Sequence, residues 1–184
     1  MITCMSDASD KLFQQALQAR RDHRLADAER DLVEVVALYR GCGDRAELAR
    51  ALAALGQIER DQRRVDDALR HYEEAVALYR AGGHPLPIAH TVRHLADIQR
   101  EAGRHKLAEQ HYRESLNLYR SEAGTAPLDL ANPIRGLAIL KSDIGEADTA
   151  RALWEEAREL YAAVRVDAGV AECDRRVELL QRGA

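Results

Sequence analysis

His90, His94 and Asp97 lie at i, i+4 and i+7, so all three share one face if the segment is helical. Neutral imidazoles one turn apart, with a carboxylate beside them, form a donor set that zinc or another divalent metal accepts. The H-E-x-x-H order is missing and no fourth ligand is evident. The alternative is therefore that His90 and Asp97 are polar surface residues and that His94 packs or caps. His71 and His111 precede Tyr72 and Tyr112 at the same spacing, which marks a recurring structural position. Cys4, Cys42 and Cys173 are unevenly placed with no C-x-x-C pair, and suggest neither a disulfide framework nor a zinc site. No phosphate loop, nucleophile elbow or paired-acid constellation is present. Asp66-Asp67, Glu73-Glu74 and Glu155-Glu156 have arginines nearby and read as solvated helix faces. The sequence therefore implies no enzyme and no cofactor.

What positions these residues is a repeat. Leu-Tyr-Arg ends at Arg40, Arg80 and Arg120, and Leu160-Tyr161 gives a displaced fourth copy. Residues 26–40 and 66–80 agree at nine of fifteen positions; 106–120 and 148–162 each agree with 66–80 at seven. Unrelated segments would match at roughly one, so the chain is internally repetitive. Seven of its eight aromatic residues fall in this register: Tyr39, Tyr79, Tyr119 and Tyr161 in one column, Tyr72, Tyr112 and Trp154 in the other. Such aromatics should plug the space between helices, burying ~150–250 Å² each. Ala16 to Ala28, Gly56 to Ala68, Ala96 to Ala108 and Ala138 to Ala150 are all twelve apart. Small residues at a fixed spacing let two helices approach closely, and loops absorb the length variation between repeats.

Gly and Pro together number only fifteen, and strong helix formers dominate. First helices are expected over about 8–21, 44–61, 87–102 and 129–143, and second helices over about 25–40, 65–80, 105–120 and 147–163. Asp44 with Glu47 predicts a capped start for one of them. Pro87 and Pro133 fit the first turns of their helices; the alternative is that Pro133 kinks a longer helix beginning near Leu128. A ninth helix near 167–181, apolar at Val170, Val177 and Leu180 and polar elsewhere, has the character of a cap. The expected organisation is a flexible segment 1–7 and a single domain over 8–184, with repeats at about 8–40, 44–80, 87–120 and 129–163. The N-terminus lacks a basic-then-apolar signal pattern, and no stretch approaches the ~20 apolar residues of a membrane helix. A cytoplasmic protein with reduced thiols is the expectation.

These residues resemble the tetratricopeptide repeat family, in its longer-period, kinesin-light-chain-like variant of about 40–42 residues. Leu52, Leu55, Gly56, Ala68 and Tyr72 match the family pattern. So do Val92, Leu95, Ala96, Ala108 and Tyr112, and likewise Ile134, Leu137, Ala138, Ala150 and Trp154. Leu12, Ala16, Ala28 and Leu32 form a weaker first copy. Glu59, Gln99 and Lys141 replace the family's tyrosine, and Arg80 and Arg120 its closing proline. The resemblance implies an all-α fold: a right-handed superhelical α-solenoid of four helix-turn-helix repeats plus a C-terminal capping helix. It also implies a protein–protein interaction scaffold whose first helices line a concave groove for a peptide or extended segment.

Given that family geometry, the groove set is Phe13, Leu17 and Arg20; Arg50, Ala53, Gln57 and Arg60; His90, Arg93, Asp97 and Arg100; Asn132, Arg135, Ile139 and Ser142. Six arginines face one aspartate there, in a chain of net charge −4. The planar arginine fork suits carboxylates, so an acidic segment is the expected ligand. Asp61, Glu101 and Asp143 at the groove's edge should pair with some arginines. The alternative is that these arginines are ordinary solvated charge. Two other classes remain. Self-association into homo-oligomers would use apolar surface at the array ends, near Leu12 and Phe13 or the cap. Nucleic-acid binding would need stacking groups on each repeat, and the overall charge opposes it.

Overall fold

A computed structural model describes residues 3–182, with the side chains of residues 3–7 left outside the description. Every regular element among them is an α-helix: α1 (Thr3–Arg21), α2 (Leu25–Cys42), α3 (Arg45–Asp61), α4 (Val65–Gly82), α5 (Pro85–Glu101), α6 (His105–Ser121), α7 (Pro127–Asp143), α8 (Ala147–Ala163) and α9 (Asp167–Arg182). The chain divides into two compact units, Met1–His84 and Pro85–Ala184. In the first unit α1, α2, α3 and α4 pack in serial order, and α1 also touches α3. In the second unit α5 to α9 pack serially, with α5 also against α7. The fold is the expected class, helix pairs repeated with a ninth helix at the end.

Each core follows from the recurring positions. Tyr72, Tyr112 and Trp154 are essentially inaccessible to solvent, and Ala16, Ala28, Ala68, Ala96, Ala108, Ala138 and Ala150 are fully buried. At Gly56 an added Cβ would stand 3.1 Å from the Tyr72 ring, so the small residue sets how closely α3 and α4 approach. The turn within each repeat also recurs. The amides of Arg24, Arg64, Arg104 and Glu146 reach back five residues to the carbonyls of Ala19, Glu59, Gln99 and Lys141. His23, Arg63, Gly103 and Gly145 supply the left-handed residue that this closure needs.

Glu59, Gln99 and Lys141, which stand where the family pattern has tyrosine, are buried rather than exposed. Burial of a polar group requires a partner, and each has one. His71 Nδ1 is 2.7 Å from Glu59 Oε2, Arg104 donates to Gln99 at 3.4 Å, and Lys141 Nζ donates to Glu109 and Glu146 at 3.0 Å each. Burial alone would pull the Lys141 pKa down, but the two carboxylates more than offset it and hold the ammonium charged.

The Leu-Tyr-Arg triplet gains a reason within each unit. Arg40 bonds Glu74 on the next second helix at 2.6–2.7 Å, and Arg120 bonds Glu156 at 2.9 Å. Tyr39 of the triplet and its counterpart Tyr161 are buried, each with its hydroxyl turned to a first helix. Tyr39 donates to Asp10 at 3.0 Å and Tyr161 to Asn132 at 3.1 Å.

Helix α1 begins at Thr3; residues 1 and 2 lie outside the described residues. One expectation is corrected. Pro133 is inside α7, and Pro127 occupies the first turn. The longer-helix alternative holds. Proline in a helix interior leaves the carbonyl four residues earlier, that of Asp129, without its usual amide, a cost that is low here because the first turn is so near.

Gly136 faces the second unit's core. An added Cβ would lie 2.4–2.7 Å from Cε1, Cζ and the hydroxyl oxygen of Tyr112. A mid-helix Gly→Ala change normally stabilises by ~0.5–1 kcal/mol. Here the ring is fully buried and cannot yield, so we expect Gly136→Ala to destabilise by ~1–3 kcal/mol, as overpacking does. Urea denaturation measures it. An unchanged or raised midpoint would remove Tyr112 from its place against α7.

Candidate interaction faces

The first-helix faces of the two units carry the candidate residues, and each face is built separately. In the first unit, Arg50 lies with its guanidinium carbon 4.0 Å from the Phe13 ring centroid. Its fork also binds Glu47 at 2.7 Å through Nε and Asp10 at 3.2 Å through Nη2. Phe13, expected as the groove's exposed aromatic and as an end patch for self-association, is only 4% exposed. A cation over an aromatic face is favourable, and here the cation acts as a lid. Arg20 bonds Asp61 at 2.6 Å. Gln57 accepts the Tyr72 hydroxyl at 3.2 Å and donates to Asp61 at 3.1 Å. Arg60 is half-buried on the same helix face.

In the second unit Arg93 reaches Asp97 Oδ2 at 3.0 Å through Nη1 and His94 Nε2 at 2.7 Å through Nη2. The Tyr112 hydroxyl donates to Asp97 Oδ1 at 2.6 Å. Burial and the Asp97 charge together push the Tyr112 pKa far up, so the hydroxyl keeps its proton. Arg100 bonds Asp143 at 3.2 Å. Arg135 is gripped by both oxygens of Glu172 on α9, Nε at 2.7 Å and Nη2 at 2.8 Å. That hydrogen bond is the main cause of the raised Arg135 pKa and of the lowered Glu172 pKa. Asn132 holds the Tyr161 hydroxyl. Arg20, Arg50, Arg93, Arg100 and Arg135 thus each bond a carboxylate of their own unit.

The sequence candidates are therefore brought together as faces, and most already bond within the chain. Arg20 with Asp61 and Arg100 with Asp143 are pairs of the expected kind. The roles of Asp10, Glu47 and Glu172 were missed. Their only signal was an acidic residue one repeat or one turn from an arginine, in a chain where charge is abundant. His90, His94 and Asp97 do share a face of α5, but Asp97 is directed to Tyr112 and Arg93. Among the described residues no three His, Cys, Asp or Glu side chains converge as a metal site. No helix among them is long and apolar enough to cross a membrane.

Serial helix pairs with small residues at the close approach and polar first-helix faces define a helical-repeat fold of the kind that presents binding surfaces. The sequence matches the tetratricopeptide repeat family over residues 7–81 and 87–163. The chain belongs to that family. Among solved structures it is similar to aspartyl phosphate phosphatase F from Bacillus subtilis, with TM-score 0.85 and 10% identity, over 95% of this chain and 45% of that one. It is similar to a signal transduction ATPase with numerous domains bearing a tetratricopeptide repeat sensor, from Pyrococcus horikoshii (TM-score 0.82, 16% identity, 94% of this chain, 26% of that one). BtubC from P. vanneervenii gives TM-score 0.60 at 16% identity over 98% of this chain and 92% of that one. These likenesses show the fold. The chain spans less than half the length of the first two. No curated protein matches in sequence.

Proposed function

We propose that the chain is a non-enzymatic scaffold that binds an extended, acidic protein segment along the first-helix face of its second unit. Tetratricopeptide repeats are protein-interaction modules, which supports the general reading. The observation that carries the finer one is Arg135, whose fork already holds a carboxylate in bidentate geometry while its side chain remains 39% exposed. Asn132 and Arg93 stand on the same pair of first helices and are likewise bonded within the chain, Asn132 to Tyr161 and Arg93 to Asp97 and His94.

The internal pairing sets the energetics. An incoming carboxylate must displace Glu172, so each exchange is nearly neutral and contributes less than the ~1.5–3 kcal/mol of a fresh charge-assisted bond. Charge then selects the segment, while backbone contacts and an apolar anchor supply most of the affinity. Two variants follow. Glu172→Gln weakens the internal competitor and is expected to tighten binding of acidic peptides severalfold. Arg93→Gln with Arg135→Gln is expected to abolish their selection. The measurement is display selection from a random twelve-residue peptide library, followed by titration of the enriched peptides. Selection without enrichment in Asp or Glu, or Glu172→Gln binding no tighter than the parent, would overturn the reading.

A further inference from the structure

We infer that His90 and His94 form a two-point chelate for a borderline divalent transition cation of the zinc, nickel(II) or copper(II) class. It stands whether or not this face binds peptide. The two Nε2 atoms are 3.3 Å apart. Zinc–nitrogen bonds of about 2.0–2.1 Å at the tetrahedral angle place two ligand nitrogens roughly 3.3–3.4 Å apart, so the bite matches. The rings meet edge-on, 76° between planes with centroids 4.8 Å apart.

The scaffold keeps this bite fixed. Both histidines rise from the middle of α5, whose opposite face is pinned by the buried side chains of Val92, Leu95 and Ile98. Behind His94, its Nδ1 faces Asp97 Oδ2 at 3.9 Å, and Asp97 is itself held by Tyr112. At that distance the carboxylate is a nearby charge and not a hydrogen-bond partner. The tautomer is set at the other nitrogen: Arg93 can only donate to Nε2, which leaves the ring proton on Nδ1 and the lone pair on Nε2.

Arg93 is the competitor. Its Nη2 donates to the His94 Nε2 lone pair at 2.7 Å, so the guanidinium must swing aside when a cation binds. It keeps an anchor in doing so, because Nη1 remains on Asp97. Water or an oxygen ligand from a partner would fill the remaining coordination positions. Two imidazoles select nitrogen-seeking cations, whereas magnesium and calcium, which require oxygen shells, gain little.

The test is calorimetric titration of the untagged full chain with zinc chloride and nickel chloride in a non-coordinating buffer. One ion per chain is expected. His90→Ala and His94→Ala should each weaken binding at least ~10-fold, the scale at which even outer-shell losses are felt. His90→Asn keeps a polar side chain and should behave as His90→Ala does, with the circular dichroism of the parent. His71→Ala should leave affinity unchanged. Arg93→Ala should bind severalfold more tightly, because the competing donor is gone. Parent affinity no better than that of His90→Ala, equal binding of magnesium, or Arg93→Ala binding no tighter than the parent would overturn the assignment.

Discussion

Tyr112→Ala is expected to cost ~3–5 kcal/mol, the range for removing a fully buried aromatic. The ring has no solvent exposure and lies against Gly136 on α7, so α5, α6 and α7 all lose a contact. Tyr112→Phe separates ring from hydroxyl. It keeps the plug, removes one bond to Asp97, and should cost only ~1 kcal/mol, since Asp97 retains Arg93. A pH test follows from the same burial. The Tyr112 pKa is raised in the fold by burial and by Asp97, so the folded state holds the phenolic proton more tightly than the unfolded chain. Its contribution is complete below the ordinary tyrosine value near 10 and is lost as pH rises above it. The parent should lose stability on alkaline titration more steeply than Tyr112→Phe. Urea midpoints across pH 8–11 report both effects. A Tyr112→Ala protein with an unchanged midpoint would show that the aromatic column does not plug the core.

That column was legible because core positions repeat. Tyr72, Tyr112 and Trp154, together with the small residues twelve apart, are constrained by packing against identical neighbours, and like constraints leave like residues. The polar faces obey no such rule. Position by position the first helices carry Asp10, Arg50, His90, Asn132 and Glu172 at corresponding places, and the residues that pair differ from one repeat to the next. Phe13 illustrates the difficulty. An aromatic in a first helix reads as exposed binding surface until Arg50 is found above it. Glu172 illustrates it again, since a carboxylate on a capping helix reads as polar cover and is instead the bidentate partner of Arg135. Glu59, Gln99 and Lys141 stand where the family pattern has a tyrosine. Their burial depends on His71, Arg104, Glu109 and Glu146, which lie five to thirty-two residues away. Short-range periodicity sees the stripe that a helix buries, and it is blind to the partner that makes a buried charge tolerable.

Deleting residues 165–184 is expected to unravel the end of the second unit. Helix α9 covers Trp154 and Tyr161, packs Val170, Val177 and Leu180 on their cluster, and buries Cys173 completely. Burial pushes that thiol up to about 11, so it remains protonated and apolar in its contacts. Arg176 lies 5.7 Å from the Trp154 ring, and Asp174 bonds Arg158 at 2.5 Å. Without the helix, two large aromatics face water and Arg135 loses its carboxylate. Terminal repeats need such a polar outer cover to stay soluble. Amides of α7 and α8 should lose hydrogen-exchange protection, with aggregation at higher concentration, while α1 to α4 in the first unit change less. Gly169→Ala supplies a milder version that leaves the chain intact. Its Cβ would stand 2.6 Å from Cγ of Tyr161, so it should loosen α9 from α8 and lower protection in the same two helices. If the truncated chain stayed monomeric with unchanged helicity per residue and unchanged α8 protection, α9 would not be a cap, and the loss of exchange protection in Gly169→Ala should vanish with it.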